Sequence, residues 1–280
     1  MKTIVITGAT SGIGYAVCRA FLQKHWAVLG VGRNETTCDA AAKKLLLEFP
    51  DADLRFFPCD LSKQAEILRL GEVLLRELND RFGGKLDALV NNAGCVRSYY
   101  TTTEDGYETV FVVNHLAAFL LTKQLMPPLI AAGGRVLITS SQSHLGIKIR
   151  WDDVMLSRRY RPLFAYKQSK LCNLLFAFAL NCRFTERGVS CAGIDPGLVH
   201  TNIGEKQTSG IVSLFWRFRK RGGVPPETAA KTYVHALADG SVHALYYGQC
   251  KPQRYSRQVN AENADRLWEL SERLCGTEFA

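Results

Sequence analysis

The run Thr7-Gly8-Ala9-Thr10-Ser11-Gly12-Ile13-Gly14 joins a β-branched strand, expected over residues 2–7, to an amphipathic helix expected to reach residue 24. Each glycine has its own task in such a strand-to-helix turn. Gly8 permits the tight bend, Gly12 lets the backbone approach a pyrophosphate, and Gly14 lets the helix pack close to the strand. The helix start adds unpaired N–H groups and the positive end of the helix dipole. Thr10, Ser11, Gly12 and Ile13 are therefore candidates for holding a phosphate. Glycines alone are a weak signal, because any tight turn favours them. Their position at the first strand of a strand–helix–strand unit gives them meaning.

Working outward, strand and helix patterns alternate. Strands are expected over 27–31, 54–58, 86–90, 135–139 and 189–194, and helices over 35–48, 62–78, 103–125 and 163–185. Continuous apolar strands between amphipathic helices predict an α/β fold, a parallel sheet flanked by helices. Right-handed crossovers make it doubly wound and Rossmann-like. No repeat or low-complexity linker divides the chain, so residues 1–280 are expected to form one domain. The long connections 142–162 and 201–223 are expected to be functional or mobile.

The bulk composition narrows the classes. With 280 residues, 47% of them hydrophobic, the chain can build a sizeable core. The net charge of +9 is partly clustered, at Arg158, Arg159 and Arg161 and again at Arg217, Arg219, Lys220 and Arg221. Neither cluster matches a nucleic-acid-binding module, and solvated surface is the simpler reading. The nine cysteines contain no Cys-x-x-Cys pair, and the histidines are scattered, so no metal site is expected. Cys18, Cys172 and Cys182 fall in apolar helical stretches, where a thiol acts as a small core hydrophobe. The apolar run after Met1 breaks at Thr7-Gly8, too early for a signal sequence, and no stretch is long enough to span a membrane. A soluble, cytoplasmic protein is expected. Peripheral membrane contact and homo-oligomerisation are left open.

The glycine spacing is Gly-x-x-x-Gly-x-Gly rather than the Gly-x-Gly-x-x-Gly of the general dinucleotide fingerprint. Further motifs follow in order: Asp60-Leu61 after the third strand, Asn91-Asn92-Ala93-Gly94 after the fourth, and Asn114 in the next helix. Ser140-Ser141 follows the fifth strand, then Tyr166-x-x-x-Lys170, then Pro196-Gly197-Leu198-Val199-His200-Thr201 after the sixth. In these features, across nearly its whole length, the chain resembles the short-chain dehydrogenase/reductase family. The resemblance implies an NAD(P)-dependent oxidoreductase acting on CH–OH groups. It implies that Asp60 contacts adenine, that Asn92, Ala93 and Gly94 lie beside the adenosine ribose, and that Pro196, Gly197, Val199 and Thr201 pass the nicotinamide amide.

The dinucleotide can be read physically. An NAD enzyme places Asp or Glu about 20 residues beyond the glycines to hold the ribose 2′-hydroxyl. Here that place holds Gly32-Arg33-Asn34. An acid would repel a 2′-phosphate, whereas the Arg33 guanidinium can fork onto one. NADP(H) is therefore expected in preference to NAD(H).

Tyr166 and Lys170 are four apart in a helical pattern and share a face. A free tyrosine titrates near 10 and is a poor acid–base group at neutral pH. A nearby ammonium favours the phenolate. Tyr166 can then give a proton to a carbonyl oxygen, or take one in reverse. The resemblance implies further roles: Ser141 holds the substrate oxygen, with Ser140 the adjacent alternative. Lys170 also holds the nicotinamide ribose, and Asn114 holds a water linking Lys170 to solvent. His144 follows Ser141 by three, but no acid completes a nucleophilic triad and no Gly-x-Ser-x-Gly elbow is present.

On the substrate side, the segment 146–162 is expected to enlarge one wall of the pocket. The apolar, aromatic residues of 201–223 are expected to form a substrate lid. Both point to a lipophilic alcohol, aldehyde or ketone. Within the family, Tyr-Lys-Gln-Ser-Lys-Leu-Cys-Asn (Tyr166 to Asn173) and Leu267-Trp268-Glu269-Leu270-Ser271 most resemble the retinol dehydrogenase-like branch. Two rivals remain. An epimerase or dehydratase of nucleotide sugars would carry Gly-x-x-Gly-x-x-Gly. A catalytically weak, cofactor-bound redox sensor or regulator would lose the tyrosine or lysine.

Overall fold

Eight strands form one sheet among the described residues of the computed structural model, in the order β3-β2-β1-β4-β5-β6-β7-β8. The described residues are 1–199, 223–238 and 244–279. The strands are β1 (Thr3–Thr7), β2 (Ala27–Gly32), β3 (Leu54–Pro58), β4 (Ala88–Asn91), β5 (Arg135–Thr139), β6 (Ser190–Asp195), β7 (Tyr246–Gly248) and β8 (Lys251–Pro252). All neighbours are parallel except β7 and β8. The chain winds outward from β1 to β3, then returns to place β4 on the other side of β1. Ligands of open α/β sheets bind at such a reversal.

The central strands β1, β2 and β4 are buried along their length because both faces are covered. Ile4, Ile6, Val28 and Val90 lie against α1 (Gly12–Leu22) on one face, in a cluster shared with Phe21 and Tyr233. Val5, Leu29, Leu89 and Val136 turn to the other face, under Leu74, Phe119 and Leu175. That second cluster is built on α3 (Gln64–Phe82), the helices after β4, and α7 (Pro162–Phe184). The helix α2 (Glu35–Glu48) packs on β2 and β3.

Residues 103–125 are not one helix. Thr102 bridges to Glu108, and the Glu108 carboxylate accepts from Val110 N at 2.9 Å and Phe111 N at 2.7 Å. That cap starts the helix later, at α4 (Thr109–Phe111). The chain then opens into a π-helical turn, Val112–Leu116, before α5 (Ala117–Gln124) and α6 (Met126–Ala132). Pro127 and Pro128 cannot donate to a continuing helix, and the path bends there by 62°. Beyond residue 194, where the sequence reading assigns no element, lie α8 (Pro226–Leu237), the β7–β8 hairpin and α9 (Ala261–Cys275). The hairpin makes the sheet edge antiparallel, a departure from a purely parallel sheet. Its strands of three and two residues are too short for a periodic signal.

All nine cysteines are free thiols. Cys18 and Cys172 are buried as expected, but Cys182 is exposed, on the outer face of α7. Among the described residues no single helix is long and apolar enough to cross a membrane.

Candidate active site

A cavity of about 870 Å³ runs along the carboxyl ends of the central strands. Gly8, Thr10, Ser11, Gly12 and Ile13 line it after β1, Arg33 and Asn34 after β2, and Asp60 and Leu61 after β3. Asn92, Ala93 and Gly94 line it after β4, Ser141 after β5, Tyr166 and Lys170 from α7, and Pro196, Gly197 and Val199 after β6. Gly14 and Asn114 stand behind this lining and brace it. Thr201 and the rest of the expected lid 201–223, except Gly223, lie outside the described residues; the flanking Val199 and Val224 pair as a bridge.

The glycine turn is tight enough to show why side chains are excluded. A Cβ on Gly14 would sit 2.2 Å from Gly8 O, and one on Gly8, whose φ is +66°, would meet Ala93 Cα at 3.0 Å. Asn92 knits the turn to β4: its Nδ2 donates to Thr7 O, while its N–H and that of Ala93 donate to Thr7 Oγ1, all at 3.0 Å. No side chain caps α1 at Ser11, and no acid stands in its first turn. The uncapped N-terminus at a cavity wall is a cradle for phosphate oxygens. Gly14→Ala is expected to force the turn open, costing about 1–3 kcal/mol. A drop in Tm together with weakened dinucleotide binding checks this; a variant with both unchanged would leave Gly14 without the packing role.

At the β2 end, Asn34 caps α2, its Oδ1 accepting from Thr37 N at 3.0 Å. Arg33 is exposed beside it and has no ion-pair partner among the described residues. The Asp60 carboxylate is held inward by Ser62 N and Oγ, at 3.0 and 2.8 Å.

At the other end, Lys170 is buried, and its Nζ lies 5.5 Å from the centroid of the Tyr166 ring and donates to Thr139 O at 3.0 Å. Burial drives its pKa down to about 8, against the opposing fields of Cys95 and Asp195. The buried Ser140 Oγ donates to Lys170 O at 2.8 Å, whereas Ser141 is half-buried. Both serines line the cavity, Ser140 with its hydroxyl turned to α7 and Ser141 with its Oγ accepting from Ser143 N at 3.2 Å. The Asn114 side chain sits in the π-helical turn and brackets Cys95. Its Oδ1 accepts from Cys95 N at 2.7 Å, and its Nδ2 donates to Cys95 O at 3.1 Å and Ser169 Oγ at 2.9 Å. An asparagine inside a helix needs a reason, and this clamp supplies one.

Some features escape the sequence reading. His144 is fully buried, with Nδ1 donating to Ser141 O at 2.5 Å and Nε2 accepting from Ser256 N at 3.2 Å. It ties the Ser141 backbone to the C-terminal segment, and burial lowers its pKa. Its spacing from Ser141 was visible, but its partner is 112 residues away. Cys95 and Arg97 also line the cavity. The segment 146–162, expected as a pocket wall, contributes no lining residue. It acts from behind, where Tyr160 OH donates to Arg97 O at 3.3 Å. Asp153, in the same segment, caps a turn by accepting from Ser157 N and Oγ.

Among known proteins, residues 2–211 match the family model described as short chain dehydrogenase. The chain is 35% identical over 283 residues to retinol dehydrogenase 12 of Mus musculus, spanning 99% of this chain and 87% of that protein. It is 32% identical to retinol dehydrogenase 13 of Homo sapiens, spanning 99% and 85%. A solved structure of an uncharacterised protein from Mycobacterium paratuberculosis superposes with a TM-score of 0.76 at 29% identity, covering 100% of this chain and 95% of that one. An alcohol dehydrogenase from Thermococcus sibiricus shares the fold, with a TM-score of 0.67 at 22% identity over 91% and 100% of the two chains.

Proposed function

We propose that this chain, which belongs to the short-chain dehydrogenase family, interconverts a lipophilic alcohol with its aldehyde or ketone, using NADP(H) in preference to NAD(H) and Tyr166 as acid and base. The observation that carries this reading is the meeting of a buried lysine with Tyr166 in the cavity that begins at an uncapped helix N-terminus.

The donor set suits a dinucleotide. Side-chain-free turns at Gly8 and Gly12, with the uncapped start of α1, would take the pyrophosphate. Arg33 would take the 2′-phosphate, with Asn34 beside it; Asp60 and Leu61 would border the adenine, and Asn92, Ala93 and Gly94 the adjacent ribose. Lys170 would hold the nicotinamide ribose, with Pro196, Gly197 and Val199 along the amide and Thr201 following them in the chain. When bound, the cofactor supplies or accepts hydride.

The remaining work falls to the protein. Ser141 orients the substrate oxygen by hydrogen bonding. Tyr166 donates the proton that this oxygen takes up, and receives it in the reverse direction. The Lys170 ammonium stabilises the phenolate left behind. Asn114 keeps the Cys95 loop and Ser169 in register behind that pair. A lipophilic substrate accords with the names of the retinol dehydrogenase relatives and with Val113, Leu198 and Val199 in the cavity wall.

Two measurements test the reading. Reduction of ketones and aldehydes of graded size with NADPH and NADH should show turnover that rises with apolar bulk; turnover confined to small polar substrates would refute the lipophilic assignment. Arg33→Ala should weaken NADPH by about 1.5–3 kcal/mol, toward the lower end because the side chain is exposed, and leave NADH almost unchanged. Equal losses for both dinucleotides would make Arg33 a structural residue.

A further inference from the structure

Among the described residues Arg97 is a cation with no ion pair, and the proposed reaction gives it no task. Its side chain is half-buried and lines the cavity. Among the described residues it makes no ion pair, and its recorded guanidinium bond runs from Nη1 to its neighbour's carbonyl, Val96 O, at 3.3 Å. Most of the fork's five donors are left for something else. Glu108, the acid whose field reaches it, is committed to the N–H groups of Val110 and Phe111. The backbone beneath Arg97 is fixed, with its carbonyl accepting from Tyr160 OH.

Its position favours the reacting end of the cavity. Gly94 and Cys95 are clamped by Asn114, and a Cβ on Gly94 would lie 3.7 Å from Lys170 Nζ. Arg97 follows two residues later, and among the cations the Cys95 thiol feels the field of Arg97 most, then that of Lys170, and that of Arg33 least. Arg33 stands beyond β2, two strand spacings from β4, which is about 10 Å across the sheet. The described lining of the cavity carries Arg33, Arg97 and Lys170 against one acid, Asp60. Two of these cations have proposed tasks on the dinucleotide, and its pyrophosphate has the start of α1. A partly desolvated guanidinium that makes no ion pair among the described residues is a site for an anionic oxygen group.

We infer that Arg97 recognises an anionic group on the substrate, so that the lipophilic carbonyl or alcohol handled here carries a carboxylate, or a group of like charge, in addition to its reacting carbon. The inference rests on the proposed alcohol–carbonyl reaction, and deepens it by naming the substrate class.

The test uses the intact protein with NADPH and two unreactive probes of one size, octanoate and octanamide, titrated by calorimetry. The wild-type complex should bind octanoate roughly 10- to 100-fold more tightly than octanamide, the span of a charge-assisted contact. Arg97→Met should abolish that preference while leaving octanamide and NADPH affinity unchanged. Reduction of 8-oxooctanoate should show the same preference over its methyl ester. Equal binding of the two probes by the wild type would overturn the inference without recourse to any variant. So would an Arg97→Met protein that loses NADPH affinity instead, because Arg97 would then serve the cofactor. If the octanoate preference holds but no carbonyl consumes NADPH, the anion subsite stands and the proposed reaction fails.

Discussion

Tyr166→Phe is expected to lower turnover by roughly 10²–10⁴-fold, the range for loss of a positioned acid–base group, with NADPH affinity preserved. The substitution removes one hydroxyl and keeps the ring that packs near Lys170. Tyr166 is half-buried and stands on the first turns of a 23-residue helix. Steady-state kinetics and a fluorescence titration of NADPH on the same preparation check both halves. Near wild-type turnover would show that another group handles the proton.

Lys170→Met should be equally damaging to catalysis and should act on stability with the opposite sign. An unfolded lysine titrates near 10.5, whereas burial drives the folded one to about 8. Below pH 8 both states hold the proton, and the folded protein carries the full cost of a buried ammonium. That cost is on the order of 3 kcal/mol, offset in part by the bond to Thr139 O. Between pH 8 and 10.5 only the unfolded state still binds the proton, so wild-type stability rises with pH through that window. The methionine variant, lacking the charge, should be more stable than wild type at pH 7 in the absence of cofactor. Its advantage should vanish as the pH approaches 10.5. Wild-type activity should decline as the pH rises past 8 and the ammonium is lost. Denaturant melts at pH 7 and pH 10 decide the matter; a variant less stable than wild type at pH 7 would mean that Lys170 is a net structural contributor.

Much of this was legible in the chain because the signals were local. The Gly8–Gly14 turn, the five apolar strands that follow β1, and the four-residue step from Tyr166 to Lys170 each complete their pattern within one element. The structure brings the lining candidates to one cavity for the reason the pattern implies: parallel strands present their carboxyl ends together. What stayed hidden depends on distant partners. Glu108 sets the helix start at Thr109, later than expected, and the π-helical turn that seats Asn114 has no spacing signature. His144 gains its role only when Ser256 arrives from the C-terminal segment. The short strands β7 and β8 exist because β6 offers an edge, which no window over their own residues can reveal. Ser140 and Ser141 differ in burial, a distinction that two adjacent identical residues cannot show in the sequence.

The central claim is that this cavity carries hydride between NADP(H) and a carbonyl carbon, with Tyr166 supplying the proton. The most direct measurement follows deuterium from NADPH carrying deuterium at both C4 positions of the nicotinamide into the alcohol formed from a lipophilic aldehyde, by mass spectrometry. Wild-type protein should place one deuterium on the carbinol carbon. Tyr166→Phe, with NADPH bound as tightly, should lower the rate of that transfer by orders of magnitude. No label in the wild-type product, or transfer at equal rates in both proteins, would contradict the account.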